Sequence, residues 1–177
     1  MRGTGAFASL LAMSFDVATC GVNARTWALA HEGSTAYATR CLAFVEDAIE
    51  RSNDLEMFGG DDAAESARLY GAVGNTGAPP ADALVFYESV GELFGERRDW
   101  GHVGLSLDDG RVVHAWDRVR VDEYRALEAL TPATGWEPLR WVGWVPLSRV
   151  LEGARPRTWD EDPATAAARM QAERFGG

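Results

Sequence analysis

Residues 100–116 constrain the fold more than any other stretch of the chain. Val103, Leu105 and Leu107 alternate with Gly104 and Ser106, the period of two of a half-buried strand. Asp108, Asp109 and Gly110 follow, a turn signal whose glycine tolerates positive φ. Residues 111–116 form a second β-rich run. The segment therefore reads as a β-hairpin, and two of the chain's three histidines, His102 and His114, lie on it.

Register decides whether those histidines meet. With only Asp109 and Gly110 in the loop, His114 lies opposite Leu105 and the two rings point to opposite faces. With Asp108, Asp109 and Gly110 all in the loop, Leu107 pairs with Arg111 and His114 lies opposite Gly104, diagonal to His102 and on its face. A three-residue loop, a type I turn closed by a left-handed glycine, suits this sequence and is the favoured register. One residue of slip would undo the pairing.

The 177 residues make one domain the default. The formal net charge of −10 argues against nucleic acid or an anionic membrane as the main partner. All 17 basic residues are arginine, which excludes a lysine nucleophile or Schiff base. The two cysteines, Cys20 and Cys41, make neither a disulfide framework nor a zinc motif. No stretch has the length of a membrane span. The N-terminus has the outline of an export signal, with an apolar run over residues 6–15 and Val17-Ala18-Thr19-Cys20 after it. A single basic residue, the short run and Asp16 favour instead an apolar helix packed on the domain and a cytoplasmic location. Export or lipid anchoring through Cys20 is the alternative.

Along the chain, a helix is expected over residues 5–18 and another over 24–31, with Asn23 as its N-cap and Gly33 as its stop. Cys41, Phe44, Val45, Ala48 and Ile49 recur at helical spacing and define one apolar face. With Thr39 as a possible N-cap, Cys41 falls in the first turn, where free N–H groups, the helix dipole and Arg40 favour a thiolate. Taken alone, the segment reads as a core stripe in which cysteine is a small apolar residue. Residues 52–62 read as a loop, 62–73 as helical, 71–80 as a break, 83–87 as a buried strand and 88–100 as a charged connection. Residues 118–122 and 139–145 are further strands, 123–130 a short helix or turn, 147–151 a short helix, and 161–175 a peripheral, solvent-facing helix. There is no internal repeat. Helices first and strands after give an α+β fold, an antiparallel sheet packed against N-terminal helices. The division is 1–22 as a leading helix or signal-like segment, 23–153 as the main domain and 154–177 as the C-terminal helix.

One cysteine at a helix start and a histidine pair far along on a sheet is the layout of a papain-like thiol site. That chemistry needs a thiol, an imidazole to take and return its proton, and a third polar group to hold the imidazole in one tautomer. Residues 101–115, with the distance from His102 to the His114-Ala115 pair, resemble the histidine hairpin of the NlpC-type (NlpC/p-sixty) cysteine peptidases and amidases. Residues 82–87 and 141–147 are similar to that family's preceding and closing strands. The resemblance implies Cys41 as nucleophile, His102 as base and His114 as orienting residue, with no metal or organic cofactor. Where the family has Asp-Cys-Ser-Gly, this chain has Arg40-Cys41-Leu42-Ala43, which marks a divergent member with another amide substrate. Asp117 is the fallback third residue, since a two-residue loop would set it opposite His102. Tyr37 would shape an oxyanion site or pack, Trp116 would lie near His102, Trp100 is pocket wall or core, and His31 is structural.

The expected function is hydrolysis of an amide or peptide bond, in a cell-wall-type peptide or another small amide, through an acyl-enzyme. The alternatives are an acyl transferase or amide-forming enzyme on the same fold, or a non-catalytic binding module.

Overall fold

The structure is a computed structural model and describes residues 15–175. Its elements in order are α1 (Val17–Ala30), α2 (Cys41–Glu50), β1 (Leu55–Glu56), α3 (Ala63–Tyr70), β2 (Leu84–Glu88), β3 (Val90–Leu93), β4 (Glu96–Asp99), β5 (His102–Ser106), β6 (Arg111–Ala115), β7 (Val119–Glu123), β8 (Arg140–Val145), α4 (Leu147–Val150), β9 (Arg155–Pro156) and α5 (Pro163–Phe175). Short 3₁₀ turns at Ala72–Gly74 and Ala126–Ala129 complete it. The fold is α+β. Its main sheet has five antiparallel strands in the order β7-β6-β5-β2-β8.

The sheet has two unlike faces because strand residues alternate. Leu84, Phe86, Val103, Leu105, Val113 and Ala115 join Phe44, Val45, Ala48 and Ile49 of α2 in one core. Val85, Tyr87 and Val112 face the other way, onto Leu127 and Leu139, with Trp116, Tyr124, Trp141 and Trp144 packed around them. His102 and His114 have the parity of this second, aromatic face. The apolar stripe of Cys41, Phe44, Val45, Ala48 and Ile49 is thus a core stripe, and of these five Cys41, at its head, is the half-buried one.

Three expectations are corrected. A single helix runs where two were expected near residues 17–31; the part of the first expected helix over residues 5–14 lies outside the described residues. Its N-cap is Asp16, whose side chain accepts the Thr19 N–H at 3.0 Å, and Asn23 sits inside the helix, its amide donating to Asn53 Oδ1 at 3.0 Å. Gly21 does not break the helix; it is where Asp82 approaches, and a Cβ there would lie 2.4 Å from Asp82 Cγ. Residues 90–99 are a two-stranded hairpin rather than a charged connection. Residues 55–56 and 155–156 pair as a small ribbon within what reads as loop. Among the described residues no helix is long and apolar enough to cross a membrane.

Glu50 closes α2 at 4% exposure and accepts the Met57 N–H at 2.8 Å. Burial, then the charges of Glu46, Asp47 and Glu56, push its carboxyl up to about 8 against the hydrogen bond from Met57. The unfolded chain ionises this group near its ordinary 4.5, the folded chain only near 8, so stability falls as pH rises between those values. Glu50→Gln is expected to stabilise the protein by a few kcal/mol at about pH 9 and by little at about pH 4. Thermal melts across that range test this, and a gain that did not grow with pH would refute it.

Candidate active site

The hairpin takes the three-residue loop. Gly104 pairs with His114, Leu105 with Val113 and Ser106 with Val112; Leu107 N–H donates to the Arg111 carbonyl at 2.8 Å, and Gly110 has φ +80°. His102 and His114 therefore share a face, with His102 Nε2 and His114 Nδ1 2.9 Å apart. The missing side chain of Gly104 permits this, since a Cβ would lie 2.3 Å from Val112 Cγ1 and 3.0 Å from His114 Cβ. The rings meet edge to face with centroids 5.0 Å apart, and Trp116 packs edge-on against His102 at 5.2 Å.

The next strand supplies a residue that the sequence reading missed. Asp122 on β7 lies diagonal to His114, because His114 pairs with Arg120 and Val112 with Asp122. Its Oδ2 is 3.0 Å from His114 Nε2, and Arg120 grips the same carboxylate, Nε to Oδ2 at 2.5 Å and Nη2 to Oδ1 at 2.9 Å. The signal was the alternation of residues 118–122: laid beside the hairpin by one more tight turn, it brings Asp122 to His114. Asp117, the fallback of the sequence reading, makes no hydrogen bond to either histidine. It sits in the turn after Trp116, 56% exposed, beside Arg118 and Arg120.

Burial would raise the Asp122 carboxyl, but hydrogen bonds from Arg120 and His114 and their charges hold it below the ordinary carboxylate range. An ionised carboxylate only accepts. His114 must then carry its proton on Nε2 and present Nδ1 as an acceptor. His102 must in turn donate from Nε2, which leaves its Nδ1 as a bare lone pair. Burial lowers the pKa of both rings, with the neighbouring His114 adding to the effect on His102; the Asp122 contact opposes it at His114. Both imidazoles therefore stay neutral at physiological pH.

Cys41 is the first residue of α2. Thr39 is not its N-cap. It adopts a left-handed φ of +63° and donates its N–H to the Trp116 carbonyl at 2.9 Å, which pins the approach to α2 onto the end of β6. Arg40 occupies the cap position without a side-chain cap bond and folds its guanidinium back onto the Ala36 carbonyl. The thiol lies at the Val103 N–H, one residue along from His102, and the N–H groups of Leu42 and Cys41 also act on it. Burial outweighs these three donors, and Glu46 adds to it, so the thiol is pushed up to about 11. The expected resting thiolate is thus replaced by a neutral thiol, because desolvation exceeds what the helix start provides. No hydrogen bond joins Cys41 to His102: the thiol meets β5 at the Val103 N–H on the α2 side of the sheet, whereas His102, the residue before, has the parity of the aromatic face and does not line the thiol cleft. Alkylation of Cys41, followed against pH by mass spectrometry, is expected to accelerate only toward about 11; a midpoint near 7 would refute this.

The thiol borders a cleft of about 110 Å³ whose walls include Leu42, Ala63, Leu93, Trp100, Gly101 and Met170. Trp100 belongs to this wall, its Nε1 donating to the Gly91 carbonyl at 3.2 Å and the Arg98 guanidinium lying 3.6 Å over its ring. Met170 and Gln171 come from α5, so the helix read as peripheral faces the site. Tyr37 is core: its hydroxyl donates to Asp47 Oδ2 at 2.7 Å. His31 is structural, with Nδ1 2.8 Å from the Trp27 carbonyl and its ring stacked on Trp27. Among the described residues no three His, Cys, Asp or Glu side chains converge as a metal site.

No family model matches the chain, and neither a curated protein nor a solved structure matches it.

Proposed function

We propose that this chain is a cysteine-dependent amide hydrolase with a papain-like, NlpC-type site, acting through an acyl-enzyme on Cys41. The observation that carries this reading is the ordered chain from Asp122 through His114 to His102, with contacts of 3.0 and 2.9 Å. It leaves a neutral imidazole with an Nδ1 lone pair at the start of β5, one residue along from the Val103 N–H that the thiol meets.

In the proposed cycle a substrate carbonyl enters the cleft beside Cys41. Sγ attacks the carbonyl carbon as its proton passes to His102 Nδ1. Because the resting thiol is neutral, proton transfer accompanies attack rather than preceding it. The positive charge that develops on His102 is stabilised through His114 by Asp122. The oxyanion faces the N–H groups at the start of α2. Collapse breaks the C–N bond, and His102 returns its proton to the leaving amine. Water, deprotonated by the same imidazole, then attacks the thioester and releases the acid.

The test is acyl-enzyme trapping. A panel of small peptides, amides and their activated esters is incubated with the protein, and intact mass is followed. The expected result is one acyl mass on Cys41, absent in Cys41→Ser, that decays with release of the acid. Capture of the acyl group by an added amine in preference to water would reassign the chain as a transferase. No adduct and no turnover across the panel would leave the binding-module alternative.

A further inference from the structure

The space at the thiol is narrow and mostly apolar. It is a cleft of about 110 Å³, and the walls around Cys41 include Leu42, Ala43, Ala63, Leu93, Gly101 and Met170. Three of these have little or no side chain, so backbone stands close to the cleft. At Gly101 there is no slack, since a Cβ would lie 2.3 Å from the Ala64 nitrogen. Leu93, at the end of β3, and Met170, on α5, are the walls whose side chains set the remaining width. An apolar cavity of about 150 Å³ holds a molecule the size of benzene, so a cleft of this volume takes about four or five heavy atoms.

A wider space adjoins the cleft. A groove of about 460 Å³ shares Asp61, Asp62 and Trp100 with it and runs between the start of α3 and the β3–β4 hairpin. Its other walls are Glu65, Arg68, Phe94, Glu96 and Arg98. Asp61, Arg68, Phe94 and Glu96 are exposed, so the groove is open to water. The boundary between the two spaces is held in place. Arg98 Nη1 pairs with Asp62 Oδ2 at 2.7 Å, and the same guanidinium lies 3.6 Å over the Trp100 ring.

In an acyl-enzyme the acyl group stays bonded to Sγ through two half-reactions, whereas the amine must leave and water must enter. The first calls for an apolar space at the thiol and the second for an open, polar path; cleft and groove are one of each. We propose that the cleft is the acyl subsite and the groove the leaving-group path, so that the substrate is an amide of a short apolar acid, about two to five carbons long, with a polar amine portion. This assignment rests on the proposed acylation of Cys41 and narrows its substrate class. Each methylene buried in the cleft adds about four-fold to acylation. A methylene beyond its capacity meets the charged walls of the groove or forces Leu93 and Met170 aside, and the rate falls.

The test is a chain-length series. The full chain is mixed with p-nitrophenyl acetate, butyrate, hexanoate or octanoate, and acylation of Cys41 is followed by mass spectrometry of its peptide, each rate normalised to that of a free cysteine derivative. In each reaction the Sγ–acyl bond forms, the ester C–O bond breaks, and p-nitrophenol leaves with the thiol proton. The normalised rate is expected to rise about ten-fold from acetate to butyrate and to fall about ten-fold or more from butyrate to octanoate. Leu93→Ala is expected to raise the hexanoate-to-acetate ratio by about ten-fold, and Met170→Ala to act in the same direction from the other wall. If Leu93→Ala does not fold, Met170→Ala carries the test. Octanoate reacting as fast as butyrate, or a ratio unmoved in both variants, would overturn the acyl subsite and leave the hydrolase reading standing. Cys41 acylated by no ester faster than the free cysteine derivative would overturn both.

Discussion

Replacing His102 by alanine is expected to lower kcat/KM for amide turnover by roughly 10³–10⁴-fold, about 4–5.5 kcal/mol of transition-state stabilisation. The loss is large because the thiol is not ionised at rest. A cysteine already held as thiolate would retain attack without its base. Here burial pushes the thiol up to about 11, so each attack needs an acceptor for its proton. Asp122→Asn tests the same chain from its far end. An asparagine at that position is uncharged, so it no longer stabilises the positive charge that the proposed cycle develops on His102 and passes through His114. The expected cost is about 10²-fold or more, although Asp122 touches neither substrate nor thiol. Asp117→Asn, altering the exposed turn aspartate, is expected to change turnover by less than about two-fold. Burial lowers the His102 pKa, so the acid limb of kcat/KM lies below the pH where an ordinary histidine titrates. Melting temperatures of each variant separate lost chemistry from lost fold. Turnover in His102→Ala within about ten-fold of the unaltered protein would sink the assignment of His102 as base.

Much of this chain of groups was legible in the sequence because a hairpin is local. The alternation of residues 103–107 sets one strand, and Asp108, Asp109 and Gly110 set the loop length, which fixes the register and so the face of His114. Asp122 was not legible as a partner because its approach depends on a second turn, at residues 116–118, with no glycine to announce it. The hairpin at residues 90–99 was hidden for a different reason. Its strands carry Glu92, Glu96, Arg97, Arg98 and Asp99, and where one face is covered, by Trp136, the strand residue is Gly91, so no apolar period announces it. The state of the Cys41 thiol stayed open between thiolate and core residue, because helix start and Arg40 are visible in sequence, whereas the depth at which the sulfur meets the Val103 N–H is a property of packing. The position of α5 beside the cleft was missed likewise, since contact between Met170 and the cleft is a long-range fact.

Gly101→Ala is expected to destabilise the protein by roughly 3–5 kcal/mol. Gly101 has φ +71°, where an L side chain costs about 1–2 kcal/mol on its own. A Cβ there would also lie 2.3 Å from the Ala64 nitrogen and 2.7 Å from the Ala63 carbonyl carbon. Those are backbone atoms in the first turn of α3, held in place by the Asp62 cap on Glu65 N–H at 2.8 Å and by the Ala64 N–H donating to the Trp100 carbonyl at 3.2 Å. Backbone cannot rotate aside as a side chain can, so the strand start must move. What moves with it is Trp100 on one side and His102 on the other, the cleft wall and the base. Gly110→Ala is the control: its φ is +80°, yet nothing lies within 4 Å of the added methyl. That variant is expected to lose only about 1 kcal/mol and to keep the His102–His114 pairing. Melts of both variants, with imidazole nitrogen shifts by NMR, compare the two. Equal destabilisation would mean that the left-handed backbone alone sets the cost. A greater loss in Gly101→Ala, with His102 shifts displaced, would mean that the close approach of α3 to β5 is what holds the base at the thiol end of the strand.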